Sequence, residues 1–171
     1  MKAIKIVVLL VVFLSVVCMY ANFTIGAEKQ EIPLDAAMRV GMGKNVVIEF
    51  DDPDCPFCRK LNTYLNTRKD ITRYIFFVPL KELHPFAESK VRLILCSKNS
   101  WKTLEETFAG KYDSERPQSC NSKSVTETIN IHKSTAERLG VNSTPFLIVN
   151  GQQVHGADIN LIESIIGPAV R

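Results

Sequence analysis

The sequence predicts an α/β domain in which helices flank a mixed β-sheet. Three observations carry this expectation. Residues 46–50 form a β-branched apolar run that leads, through a short acidic turn, into a helix-patterned stretch. Residues 73–78 form a second apolar run, closed by Pro79. Near the C-terminus a short apolar run, an Asn150-Gly151 turn signal and an amphipathic helix follow in order.

The elements can be justified along the chain. Residues 1–27 open with Lys2 and Lys5 and then carry no charge, with an apolar heart at 6–20. A basic start and a short apolar core predict a secretory signal. The 22-residue uncharged run is also long enough to span a bilayer, so an uncleaved N-terminal membrane anchor over residues 6–27 fits as well. Either places residues 28–171 outside the cytoplasm, in a bacterium the periplasm. Residues 28–43 read as a short linker with a helical turn near 34–38, ended by Gly41 and Gly43. The domain proper is expected over 44–171.

Within it, 46–50 predicts a strand buried on both faces, and 51–54 a loop. Phe57, Leu61, Tyr64 and Leu65 share one face of a helix that starts near Pro56. After the second strand, Ala87, Val91, Ile94 and Leu95 mark another helix. Trp101, Leu104, Thr107 and Phe108 mark the next, with Trp101 in the core. Ser124 and Glu127 suggest a capping box opening a further helix, with His132 on its apolar face as a core histidine. Strands at 146–149 and 152–155 form a hairpin. Asp158 caps a last helix, which Gly167 and Pro168 stop.

Composition bounds the function. A chain of 171 residues, 46% hydrophobic and 23% charged, suits one globular domain. The net charge of +3 falls to about +1 once Lys2 and Lys5 are set aside, so nucleic-acid binding is not expected.

The chemistry centres on Cys55-Pro56-Phe57-Cys58, between a strand and the first turn of a helix. A cysteine at a helix N-terminus meets free N–H groups and the positive end of the dipole, which favour its thiolate. Cys58 lies about one turn on, within reach to attack a mixed disulfide at Cys55. The spacing permits a reversible disulfide with the first sulfur exposed. Half of a zinc site, or a plain structural disulfide, are the alternatives; no second close ligand pair supports zinc. Glu49 interrupts the apolar strand six residues before Cys55. It is either a proton acceptor for Cys58 or an acid pointing to solvent. Thr144-Pro145 precedes a strand and is either a cis-proline loop facing the cysteines or an ordinary trans turn. In an oxidising compartment Cys96 and Cys120 read as a disulfide, against two buried free thiols. Arg59, beside Cys58, is either solvated or an aid to the thiolate.

Residues 50–61, Phe50-Asp51-Asp52-Pro53-Asp54-Cys55-Pro56-Phe57-Cys58-Arg59-Lys60-Leu61, resemble the active-site segment of DsbC-type thiol:disulfide interchange proteins. The similarity continues through Leu95-Cys96-Ser97-Lys98, Cys120 and Leu139-Gly140-Val141-Asn142-Ser143-Thr144-Pro145, roughly residues 44–167 in all. The resemblance implies a thioredoxin fold with a helical insertion at about residues 84–139. It makes Cys55 the attacking cysteine, Cys58 the resolving one, Thr144-Pro145 the cis-proline loop and Cys96–Cys120 a structural disulfide. Pro56 and Phe57 join Thr144 and Pro145 in binding substrate. Glu49 is more similar to a buried glutamate of DsbA-type oxidases. The chain is expected to be a short form without the family's N-terminal dimerisation domain. The implied activity is disulfide isomerase or reductase rather than oxidase, acting on exported proteins with cysteines and reset by a membrane thiol-redox partner. No cofactor beyond the Cys55–Cys58 disulfide and no metal are expected. The competing expectation is a chaperone-like binding module for unfolded exported chains.

Overall fold

The structure, a computed structural model, describes residues 31–114 and 116–169. The signal or anchor expected over residues 1–27 lies outside them. Ile32–Arg171 forms one compact unit.

Its elements are β1 (Met38–Val40), β2 (Asn45–Asp51), α1 (Pro56–Leu65), β3 (Ile71–Phe77), α2 (Ala87–Cys96), α3 (Ser100–Phe108), α4 (Lys123–Arg138), β4 (Phe146–Val149), β5 (Gln152–His155) and α5 (Ile159–Ile166). The sheet order is β1-β3-β2-β4-β5. β2 and β3 are parallel, and every other neighbouring pair is antiparallel. This is the mixed sheet flanked by helices that the sequence predicts, with α2, α3 and α4 as the insertion.

The segment expected as a linker is corrected from Ile32 onward. Leu34–Ala36 is a single 3₁₀ turn, and Met38–Val40 is an edge strand on β3. A three-residue strand is too short for period-two alternation to show. Gly43 is packed so tightly on the Asp70–Ile71 backbone that an added Cβ would lie 2.0 Å from the Asp70 carbonyl carbon.

β2 is buried at every position except Val46. Parallel register sets Val47, Glu49 and Asp51 beside Arg73, Ile75 and Phe77, all on one face. On that face Val47 packs with Leu61, Leu65 and Ile162. Ile75 and Phe77 pack with Cys55, Cys58, Val91, Ile94, Leu104 and Ile129. On the other face Ile48, Phe50, Phe76 and Phe146 pack with Ala136 of α4. The insertion helices thus enclose the end of the sheet where β2 delivers the cysteine motif.

Several local expectations change. Asp51 belongs to β2 rather than to the following loop. α4 starts at Lys123 with Ser122 as cap, and no side-chain capping bond forms; the Ser122 and Ser124 hydroxyls bond each other instead. Trp101 is partly exposed and stacks over Arg73 rather than filling the core. The Asn150-Gly151 hairpin has positive φ at both residues, 45° and 88°. Asp158 caps α5 through the Leu161 N–H. His132 is fully buried: its Nδ1 accepts from the Phe77 N–H at 3.0 Å and its Nε2 pairs with the Ala36 carbonyl at 2.8 Å. That pattern requires the neutral imidazole with the proton on Nε2.

Candidate active site

Cys55 is the N-cap of α1 and Pro56 its first residue. The Cys55 N–H donates to the Asp52 carbonyl at 3.1 Å, which folds the loop after β2 back on itself. The spacing suggests an exposed first sulfur, but Cys55 is only 6% exposed and Cys58 is fully buried. The cover comes from a distant loop. The Thr144–Pro145 bond is cis, and the Cys55 thiol donates to the Thr144 carbonyl at 3.3 Å. Pro56 and Phe57 are the exposed part of the motif, Phe57 at 62%.

The two thiols differ sharply in acidity. Cys55 is lowered to about 5, chiefly by a hydrogen bond from the Cys58 thiol. Burial opposes this, while the N–H groups of Cys58 and Phe57 and the Thr144 side chain support the thiolate. Cys58 is pushed far above the ordinary thiol range, first by burial, then by its bond to Cys55 and by the charge of Asp51. Of the two, Cys55 is the acidic thiol and Cys58 the one that keeps its proton.

Two buried carboxylates lie beneath them on β2. Glu49 does not point to solvent. Arg73 grips it with a two-pronged bond, Nε to Oε1 at 2.7 Å and Nη2 to Oε2 at 2.9 Å. Arg73 also donates to Asn62 and Asn66, and both amides donate on to Glu105 of α3. Asp51 is the contrasting case. It is fully buried, and neither oxygen has a hydrogen-bond partner within ordinary distance among the described residues. Burial and the charge of Glu49 raise its pKa well above the usual carboxylate range. Arg73 and the nearby Cys58 thiol offset this only in part. In the sequence Asp51 is hidden as a site residue, because an acidic run before proline reads as a loop. Its position two residues after Glu49 was the available signal, since period two puts both on one face.

Asp52 fixes the approach to the motif: Oδ1 accepts from the Asp54 N–H and Oδ2 from the Leu80 N–H, with His84 Nδ1 at 3.0 Å. Arg59 is neither solvated nor directed at the thiolate; it binds Asp54 and Asp113. Cys96 and Cys120 are joined, tying the end of α2 to the segment before α4. Among the described residues no group of three His, Cys, Asp or Glu side chains could hold a metal ion.

An acidic cysteine at a helix start, a buried partner one turn on and a cis-proline loop above them sit on a sheet of this topology. The thioredoxin-like domain model matches residues 33–158, and the chain belongs to the thioredoxin-like family. Within it, the relatives are disulfide interchange proteins. The crystal structure of a disulfide interchange protein from Neisseria gonorrhoeae is 32% identical, with a TM-score of 0.62, covering 78% of this chain and 94% of that one. The thiol:disulfide interchange protein DsbC of Escherichia coli is 32% identical over 117 residues, which is 66% of this chain and 46% of that protein. A periplasmic thioredoxin-like protein from Salmonella enterica serovar Typhimurium, 19% identical with a TM-score of 0.58, shares the fold. The chain spans less than half the length of the curated DsbC relatives that it matches.

Proposed function

We propose that the chain is an exported thiol:disulfide oxidoreductase that works as an isomerase or reductase on cysteines of other exported proteins. The carrying observation is the arrangement of the two sulfurs: Cys55, whose thiol is made acidic, caps α1, and Cys58 is fully buried one turn on. The Cys55 thiolate attacks one sulfur of a substrate disulfide. A Cys55–substrate bond forms, the substrate S–S bond breaks, and the departing substrate thiolate takes a proton from solvent. Cys58 then gives its proton to Asp51 and attacks the Cys55 sulfur. The second substrate sulfur leaves as a thiolate, and the Cys55–Cys58 disulfide holds the two electrons' worth of oxidation. The electrons move wholly within sulfur–sulfur bonds, so no dissociable cofactor is required.

The half-buried Thr144 beside Cys55 and the exposed rings of Pro56 and Phe57 support a substrate held as an extended segment across the cysteines. A stabilised Cys55 thiolate favours the dithiol form and so raises the reduction potential of the pair; the isomerase or reductase reading rests on that dithiol being kept reduced, so that Cys55 can open a substrate disulfide. Such a pair needs a thiol donor to return it to the reduced form, and for an exported protein that donor is a membrane thiol-redox partner. The test is reactivation of a scrambled-disulfide substrate by the purified protein in a thiol buffer. The parent restores activity, and the Cys55→Ser, Cys58→Ser double variant does not. Full reactivation by the double variant would instead support a chaperone-like binding module.

A further inference from the structure

Lys90 of α2 is a primary amine only 2% exposed, and the exchange chemistry above makes no use of it. Its Nζ pairs with Asp54 Oδ1 and, at 2.5 Å, with Asp113 Oδ1. Asp54 directly precedes Cys55. The same two carboxylates hold Arg59 of α1. Arg59 Nη1 donates to Asp113 Oδ2 at 2.6 Å, and its Nη2 donates to Asp113 Oδ1 at 2.8 Å and to Asp54 Oδ1 at 2.9 Å. Arg59 Nε completes the set with a 2.8 Å bond to the Pro53 carbonyl. Two cations and two carboxylates therefore form a neutral cluster around Pro53 and Asp54.

Asp113 is the member that comes from far away. It lies between α3 and α4, in the stretch that the Cys96–Cys120 disulfide closes. Gly110, at φ +86°, lets that stretch turn toward the cluster. A Cβ at Gly110 would lie 2.9 Å from Asp113 Oδ2, so the approach depends on glycine twice over.

We infer that Asp113 is a positioning residue for exchange at Cys55: by gripping Arg59 and Lys90 it fixes Pro53 and Asp54, and so holds Cys55 at the start of α1. The insertion is then a strap, anchored by the Cys96–Cys120 disulfide and fastened beside the cysteine motif by Lys90 and Asp113. This rests on the proposed exchange at Cys55. The parent protein tests that reading, and the variants relative to the parent test the strap.

The full chain carrying Asp113→Asn is compared with the parent for its rate of reaction with oxidised glutathione and for amide hydrogen exchange. The expected result is a loss of about tenfold in rate, the size expected when a reacting group is displaced. Amide exchange at residues 54–58 should speed up by about tenfold, with α5 and β4 unchanged. Asp113→Glu, which keeps the charge and the fork, should restore both. Gly110→Ala, which displaces Asp113 without changing charge, should reproduce the Asp113→Asn changes and serves also if that variant does not fold. A rate within twofold of the parent in folded Asp113→Asn, or faster amide exchange spread evenly over the domain, would overturn the inference. A parent that itself fails to react with oxidised glutathione through Cys55 overturns the proposed function instead.

Discussion

Glu49 and Asp51 stand two residues apart on the same face of β2, both fully buried, and their surroundings could hardly differ more. Glu49 meets a guanidinium fork backed by two asparagines and a second acid. Asp51 sits across from Phe77, and its carboxylate has no hydrogen-bond partner among the described residues. A satisfied buried charge holds elements together, here β2, β3, α1 and α3. An unsatisfied one raises free energy and has a reason to take a proton. In the proposed exchange, Cys58 is the thiol that supplies that proton.

The largest expected effect comes from breaking the satisfied side. Arg73→Met leaves Glu49 buried without its counter-charge and should cost about 3–5 kcal/mol in a denaturant titration. Trp101 fluorescence offers a direct probe, since its ring lies over Arg73.

Asp51→Asn comes next. It should leave attack by Cys55 intact but slow resolution by Cys58 by about 100-fold, the scale of general-base catalysis. The mixed disulfide should then accumulate and be trappable by acid quench. Glu49→Gln is the control that can reverse the comparison: if it stalls resolution and Asp51→Asn does not, the roles are exchanged.

Stability against pH sharpens the same contrast. The folded-state pKa of Asp51 is raised, so its contribution is fully present below the unfolded value near 3.9 and is lost as pH rises through the folded pKa. Parent and Asp51→Asn should therefore be closest in acid, with the variant gaining relative stability as pH rises. Equal stability differences at all pH values would count against a raised Asp51.

The smallest effect belongs to His132, a buried group that is satisfied only when neutral. Its folded pKa is depressed by burial. Its stabilisation is present above the unfolded value near 6.5 and is lost as pH falls through the folded pKa. As pH falls below about 6.5 the parent should lose stability that His132→Gln does not lose.

Much of this was written in local patterns. The β-branched run, Pro56 at a helix start, the Asn150-Gly151 turn and the Asp158 cap each act through neighbours in the chain, and a sequence reports neighbours well. Two residues that matter to the chemistry escaped for one reason. Asp51 looked like the first residue of a loop, and Asp113 looked like part of a polar one. Their meaning lies in partners, or missing partners, from distant segments.

The sequence by itself determined the α/β class, the helix-start placement of Cys55 and the one-turn spacing to Cys58, because strand alternation, helix periodicity and capping are short-range. Long-range packing sets the buried surroundings of Glu49 and Asp51, the depth at which Cys55 is covered, and the pairing of Lys90 with Asp54 and Asp113 beside the motif. Each of those depends on charges and loops brought together from residues far apart in the chain, and the free energy of a buried charge is set by what surrounds it in space.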